Sequence, residues 1–147
     1  MSAEITYGSK EESEYVKRKL IEYNHGHVPD ELKNNYEEIN LTIKDDEGKI
    51  LGGLLSVFCW NWIEVDILWV DQALRGTGLG SQLLSQIEKI AKEKKCTFIK
   101  LNTFSFQAPE FYKKNGYREV AVFEDAPLGS KHYYFRKDIS PLISIRI

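Results

Sequence analysis

Ile39, Leu41 and Ile43 alternate with polar neighbours, the acidic run Asp45-Asp46-Glu47-Gly48 interrupts the pattern, and apolar residues resume from 50 to 60. Two apolar runs joined by turn chemistry read as a β-hairpin. Cys59-Trp60-Asn61-Trp62 reverses the chain again, and residues 63–70 form the next strand. The period then changes. Leu79, Leu83, Leu84, Ile87, Ile90 and Ala91 fall at helical spacing and predict a helix ending near Lys94-Lys95. Residues 97–102 follow as a strand, which the connecting helix requires to lie parallel to the strand ending at Val70. Pro109 suits the first turn of a short helix that Asn115-Gly116 stops; Val120, Val122 and Phe123, then residues 132–135, suggest two closing strands. Upstream, residues 4–8 alternate as a short first strand, Ser9 caps a helix reaching about Tyr23, and Gly26 and Pro29 break it. Antiparallel strands followed by strand, helix, strand, helix, strand predict an α+β domain with a mixed sheet, not a continuous βαβ series.

The junction between the strand ending at Val70 and the helix starting near Leu79 carries the chemistry. Gly76, Gly78 and Gly80 crowd this turn and permit left-handed backbone or close approach. The first helical turn beyond them offers free N–H groups and the positive end of the helix dipole, and Arg75 adds a charge that can fork onto phosphate oxygens. A nucleotide P-loop needs Gly-Lys-Ser/Thr, whereas this turn ends Gly80-Ser81-Gln82. A dinucleotide fingerprint needs a third glycine where Ser81 stands and an acid closing the next strand, which ends Lys100-Leu101-Asn102-Thr103. Both fail, and Arg-x-x-Gly-x-Gly after a strand ending Leu-x-Val is what remains.

Composition narrows the partners. With 147 residues, 42% hydrophobic and 29% charged, the chain reads as one soluble globular domain. Met1-Ser2-Ala3-Glu4-Ile5 has neither the basic start nor the apolar core of a signal peptide, so a cytoplasmic protein is expected. Residues 1–40 hold five Lys/Arg against nine Asp/Glu, leaving no basic stripe for nucleic acid. Cys59 and Cys96 sit among apolar neighbours and read as reduced buried thiols. His25 and His27 lack further ligands nearby, and no metal site is expected. Trp60, Trp62 and Trp69 read as packing residues.

Arg75-Gly76-Thr77-Gly78-Leu79-Gly80 resembles the pyrophosphate loop of the GCN5-related N-acetyltransferase (GNAT) superfamily, whose members move an acyl group from acyl-coenzyme A to an amine. A second segment, Phe111-Tyr112-Lys113-Lys114-Asn115-Gly116-Tyr117, is similar to the Phe/Leu-Tyr-x-x-x-Gly-Phe/Tyr pattern that follows in that superfamily. The resemblance spans roughly residues 39–137. It implies the acyl-CoA N-acyltransferase fold, a central, mostly antiparallel mixed sheet flanked by helices, over a single domain 1–147. Residues 1–38 would serve the acceptor side, and 39–139 the acetyl-CoA-binding core and closing strands.

The resemblance also implies roles. Leu68, Trp69 and Val70 would offer backbone to the pantetheine arm; Arg75, Gly76, Thr77, Gly78, Leu79, Gly80 and Ser81 would cradle the pyrophosphate. Ser105 stands where many members carry Asn toward the cofactor arm. Tyr112 would protonate the departing thiolate. An attacking alkylamine has a pKa near ~10.4 and must lose a proton. Glu64 matches the glutamate that some members use as base, with Asp66 and a water chain as alternatives. The expected activity is direct acetyl transfer from acetyl-CoA to an amine, a small molecule in preference to a protein lysine. A non-catalytic acyl-CoA sensor is the alternative. The apolar tail, residues 140–147, permits a homodimer without deciding for one.

Overall fold

The computed structural model describes residues 2–140. Residues 1–34 and the chain from Asn35 onward form two compact units. In the first, helix α1 (Lys10–His25) opens with a full capping box: the Ser9 hydroxyl accepts from the Glu12 N–H, and the Glu12 carboxylate accepts from the Ser9 N–H at 2.7 Å. Gly26 ends it. The strand expected over residues 4–8 is absent, because strands need a partner and the described part of this unit contains none. His27 is held by its Nδ1 against the Tyr23 carbonyl at 2.9 Å and stacks on the Tyr23 ring. No metal-ligating cluster exists among the described residues.

The second unit holds strands β1 (Tyr36–Lys44), β2 (Ile50–Cys59), β3 (Trp62–Val70), β4 (Phe98–Phe104), β5 (Arg118–Phe123) and β6 (His132–Asp138). They form one sheet in the order β1-β2-β3-β4-β6-β5. All neighbours are antiparallel except β3 and β4, which the long helix α2 (Leu79–Glu93) joins in parallel, as its spacing requires. A 3-10 turn (Gln72–Leu74) leads into α2, and α3 (Pro109–Lys114) ends at Gly116, whose φ is +90°.

One face of the sheet carries the core. Leu83, Leu84, Ile87 and Ala91 of α2 are buried against Leu54, Ile63, Ile99, Leu101 and Phe135. Each fully buried aliphatic chain stabilises the fold by roughly 1.5–3 kcal/mol. Helix α3 joins the same core through Tyr112, whose ring meets those of Tyr117 and Phe135. A polar tether crosses these layers: Lys137 Nζ donates to Glu88 at 2.9 Å and to the Asn115 carbonyl at 2.9 Å, and the Tyr117 hydroxyl donates to the same carboxylate at 3.1 Å. It fixes α2 to the end of α3. Cys96 is buried with its thiol pushed up to about 11 by burial, and Cys59 is half-buried. No helix among the described residues is long and apolar enough to cross a membrane. The expectation for the tail falls largely on residues 141–147, outside the described residues.

Candidate active site

A β-bulge creates the site. Leu55 pairs with Ile67 and Ser56 with Val65, so Asp66 has no partner on β2. Such an extra residue bends its strand and increases the local twist. Pairing between β3 and β4 accordingly stops at Val65 and Leu101, while beyond that point β3 continues with β2 and β4 continues with β6. The inner edges of two parallel strands thus diverge and leave backbone groups unpaired. A cavity of about 880 Å³ occupies the opening.

One end of this cavity has the geometry of an anion site. Gly76 and Gly78 take φ of +82° and +92°, values favourable only to glycine. Gly78 is the N-cap of α2 and has no side chain to cap with, unlike Ser9 of α1. The first intrahelical bond runs from Gln82 N–H to the Gly78 carbonyl, which leaves the N–H groups of Leu79, Gly80 and Ser81 aimed forward from the helix. Arg75 donates through Nε to the Val70 carbonyl at 3.3 Å, and this contact holds its guanidinium beside the turn. Gly80 answers a different need: a Cβ there would lie 2.9 Å from the Phe111 ring of α3.

Toward the strand divergence the lining changes. Asp66, Asn102, Thr103, Phe104 and Phe106 face the cavity from the strand side, and Tyr112 from α3. Burial raises the pKa of the Tyr112 phenol, so it stays protonated. Its hydroxyl has no hydrogen-bond partner among the described residues, although every fully buried side-chain nitrogen or oxygen among them has one. The Tyr112 oxygen therefore opens onto the cavity. Tyr117, with its hydroxyl on Glu88, is the ordinary core tyrosine of the pair.

Four comparisons bear on this arrangement. The family model described as Acetyltransferase (GNAT) family matches residues 7–117. A blasticidin-S acetyltransferase from Streptomyces morookaense is 40% identical over 95 residues, 64% of this chain and 70% of that protein. The chain belongs to the acetyltransferase (GNAT) family. A solved acetyltransferase from Bacillus cereus ATCC 14579 is 49% identical with a TM-score of 0.90, covering 93% of this chain and 98% of that one. A Bacillus anthracis structure, described as a candidate streptothricin acetyltransferase in complex with acetyl coenzyme A, shares the fold at 22% identity and a TM-score of 0.64, over 77% of this chain and 69% of that one. As a GNAT member the protein is an acetyl-CoA-dependent N-acetyltransferase.

Within this acetyltransferase, Leu68, Trp69, Val70, Arg75, Gly76, Gly78, Leu79, Gly80 and Ser81 line the cavity together. Thr77 and Ser105 are not among its lining residues. The Thr77 hydroxyl donates to the Leu74 carbonyl and pins the turn, and Ser105 accepts from the Lys131 N–H at 3.0 Å, extending the link between β4 and β6. Glu64 lines a separate hollow and is paired with Lys100 at 3.3 Å, whereas Asp66 stands at the bulge. Burial, and then the charge of Glu64, raise the Asp66 pKa. Trp69, read as packing, is 46% exposed and turned to the cavity side, because the bulge reverses which residues of β3 face the core. Asn102 and His132, joined at 2.9 Å, had no signal in the linear sequence: they stand on different strands.

Proposed function

We propose that this acetyltransferase moves the acetyl group of acetyl-CoA directly to the primary amine of a small cationic molecule, without an acyl-enzyme. The observation that carries this reading is the shared cavity, with a bare helix N-terminus and Arg75 at one end and the unpartnered Tyr112 hydroxyl at the other. The residues fit the co-substrate. N–H groups of Leu79, Gly80 and Ser81 with Arg75 would hold the pyrophosphate, and the unpaired inner edge of β3 would hold the amide-bearing arm. The thioester supplies the acetyl group and a sulfur leaving group. Tyr112 holds the proton that the sulfur takes as the C–S bond breaks. Asp66, directly or through water, takes the proton lost by the amine as the N–C bond forms. A small-molecule amine is favoured because a relative at 40% identity is a blasticidin-S acetyltransferase. Neither Cys59 nor Cys96 lines the cavity, which favours direct transfer.

Calorimetric titration with acetyl-CoA, beside coenzyme A, NAD and ATP, tests the co-substrate. Binding by acetyl-CoA and coenzyme A alone is expected, weakened about 10-fold by Arg75→Ala, the scale of one charge-assisted contact. Thiol release on adding blasticidin S or another cationic amine then separates an enzyme from a sensor. Asp66→Asn is expected to lower kcat by roughly 10²-fold, the lower range for loss of a general base. Glu64→Gln should keep the plateau. It removes a negative neighbour that raises the Asp66 pKa, so the acid limb of the pH–rate profile should move to lower pH. A reversed pattern, with activity lost in Glu64→Gln and kept in Asp66→Asn, would assign the base to Glu64.

A further inference from the structure

The sheet face opposite α2 and α3 carries a row of aromatic rings that begins inside the cavity. Phe106 and Phe104 both line it, with parallel planes (2°) and centroids 5.4 Å apart. His132 stacks on Phe104 at 4.3 Å, Tyr134 lies 4.6 Å beyond, and Phe123 meets Tyr134 edge-on at 5.8 Å. The row crosses β4, β6 and β5 in register, Phe104 opposite His132 and His132 opposite Phe123. It is not part of the core, which takes Leu101, Thr103 and Phe135 on the other face. Its first ring, Phe106, is 64% exposed and has a bare π-face at the end of the stack. The row also contains a fixed polar pair, Asn102 and His132, of which Asn102 lines the cavity. Among the described residues lining the cavity, Asp66 is the one carboxylic acid, and Arg75, the one cation, belongs to the phosphate end.

We propose that the acceptor is an amine carried on a planar unsaturated ring, with the ring extending the stack on Phe106 and the amino group delivered to Asp66. The inference rests on the acetyl-transfer reading above and specifies its acceptor class. A flat ring continues an offset aromatic stack whatever its substituents, and Asn102 supplies a hydrogen bond at its edge. Tyr112 faces the opposite side of the divergence, so the amine and the departing sulfur have separate proton partners. A flexible, ring-free polyamine would use Asp66 but leave the π-face bare.

The test compares thiol release from acetyl-CoA with two sets of amines, tryptamine and tyramine against cadaverine and spermidine, in the wild type, Phe106→Leu and Phe106→Trp. The ring-bearing set is expected to show kcat/KM about 10-fold higher or more in the wild type. Phe106→Leu keeps an apolar residue without the flat face and should erase that preference through KM; Phe106→Trp should retain it. The proposal is overturned by equal or better use of the ring-free amines, by no use of either set by a protein that binds acetyl-CoA, or by a preference that survives Phe106→Leu. Failure to bind acetyl-CoA overturns the acetyl-transfer reading itself, and a titration run beside the assay distinguishes that case.

Discussion

Tyr112→Phe is expected to lower kcat by roughly 10²-fold or more while acetyl-CoA affinity changes by less than about threefold, since removing a positioned acid typically loses 10²–10⁴. The substitution is clean because the hydroxyl has no partner among the described residues to lose, and the ring keeps its contacts with Tyr117 and Phe135. The same change at Tyr117 would break the bond to Glu88 and act through stability instead. Burial raises the Tyr112 pKa above the usual phenol value, so the donor form persists through the neutral and mildly alkaline range. The wild-type profile should therefore show no alkaline limb below about pH 10, the ordinary phenol value. Single-turnover thiol release across pH, with calorimetry on the variant, checks both parts. Unchanged turnover in Tyr112→Phe would remove this residue from the chemistry.

Gly78→Val is expected to weaken acetyl-CoA binding about 10²-fold or more. A Cβ at Gly78 meets nothing within 4 Å, so no clash is involved. The effect comes from the backbone. Gly78 holds φ at +92°, where an L-residue costs about 1–2 kcal/mol and a β-branched one more. Relaxing that angle turns the N–H groups of the first α2 turn away from the cavity. With charge-assisted hydrogen bonds contributing about 1.5–3 kcal/mol each, the loss of two lowers acetyl-CoA affinity about 10²-fold or more. Calorimetric titration measures it, and a urea melt should register a drop in stability of about the strain alone. Tight acetyl-CoA binding by the variant would place the pyrophosphate away from this turn.

Most of the architecture could be read from periodicity, because the residues concerned are buried on one side only. The two-residue alternation of β1, the apolar run of β2 after its acidic turn, the helical spacing of α2 and the stop at Asn115-Gly116 all reappear as elements. The glycine turn was legible because its geometry is local: Gly76 and Gly78 hold positive φ within a few residues of Arg75. What linear reading missed is set by pairing. Strict alternation along β3 would send Ile63, Val65, Ile67 and Trp69 to one face, but the unpaired Asp66 shifts the phase. Leu68 then packs inward, and Ile67 and Trp69 are left 54% and 46% exposed. That same unpaired residue opens the sheet. Residues 4–8 failed in the opposite sense, having the alternation of a strand and no partner. The Ser105 hydroxyl accepts from the N–H of Lys131, just before β6, a partner 26 positions distant in the chain that linear reading does not show.

The contact between Gly80 and Phe111 couples two segments that lie far apart in the sequence. With 2.9 Å between a would-be Cβ at 80 and the Phe111 ring, any side chain at 80 demands a smaller or displaced side chain at 111. The glycine turn and the tyrosine helix are in that respect a single packed unit. Across related sequences they should be exchanged together, and a chimaera that takes one from a divergent relative without the other would misplace Tyr112, the neighbour of Phe111.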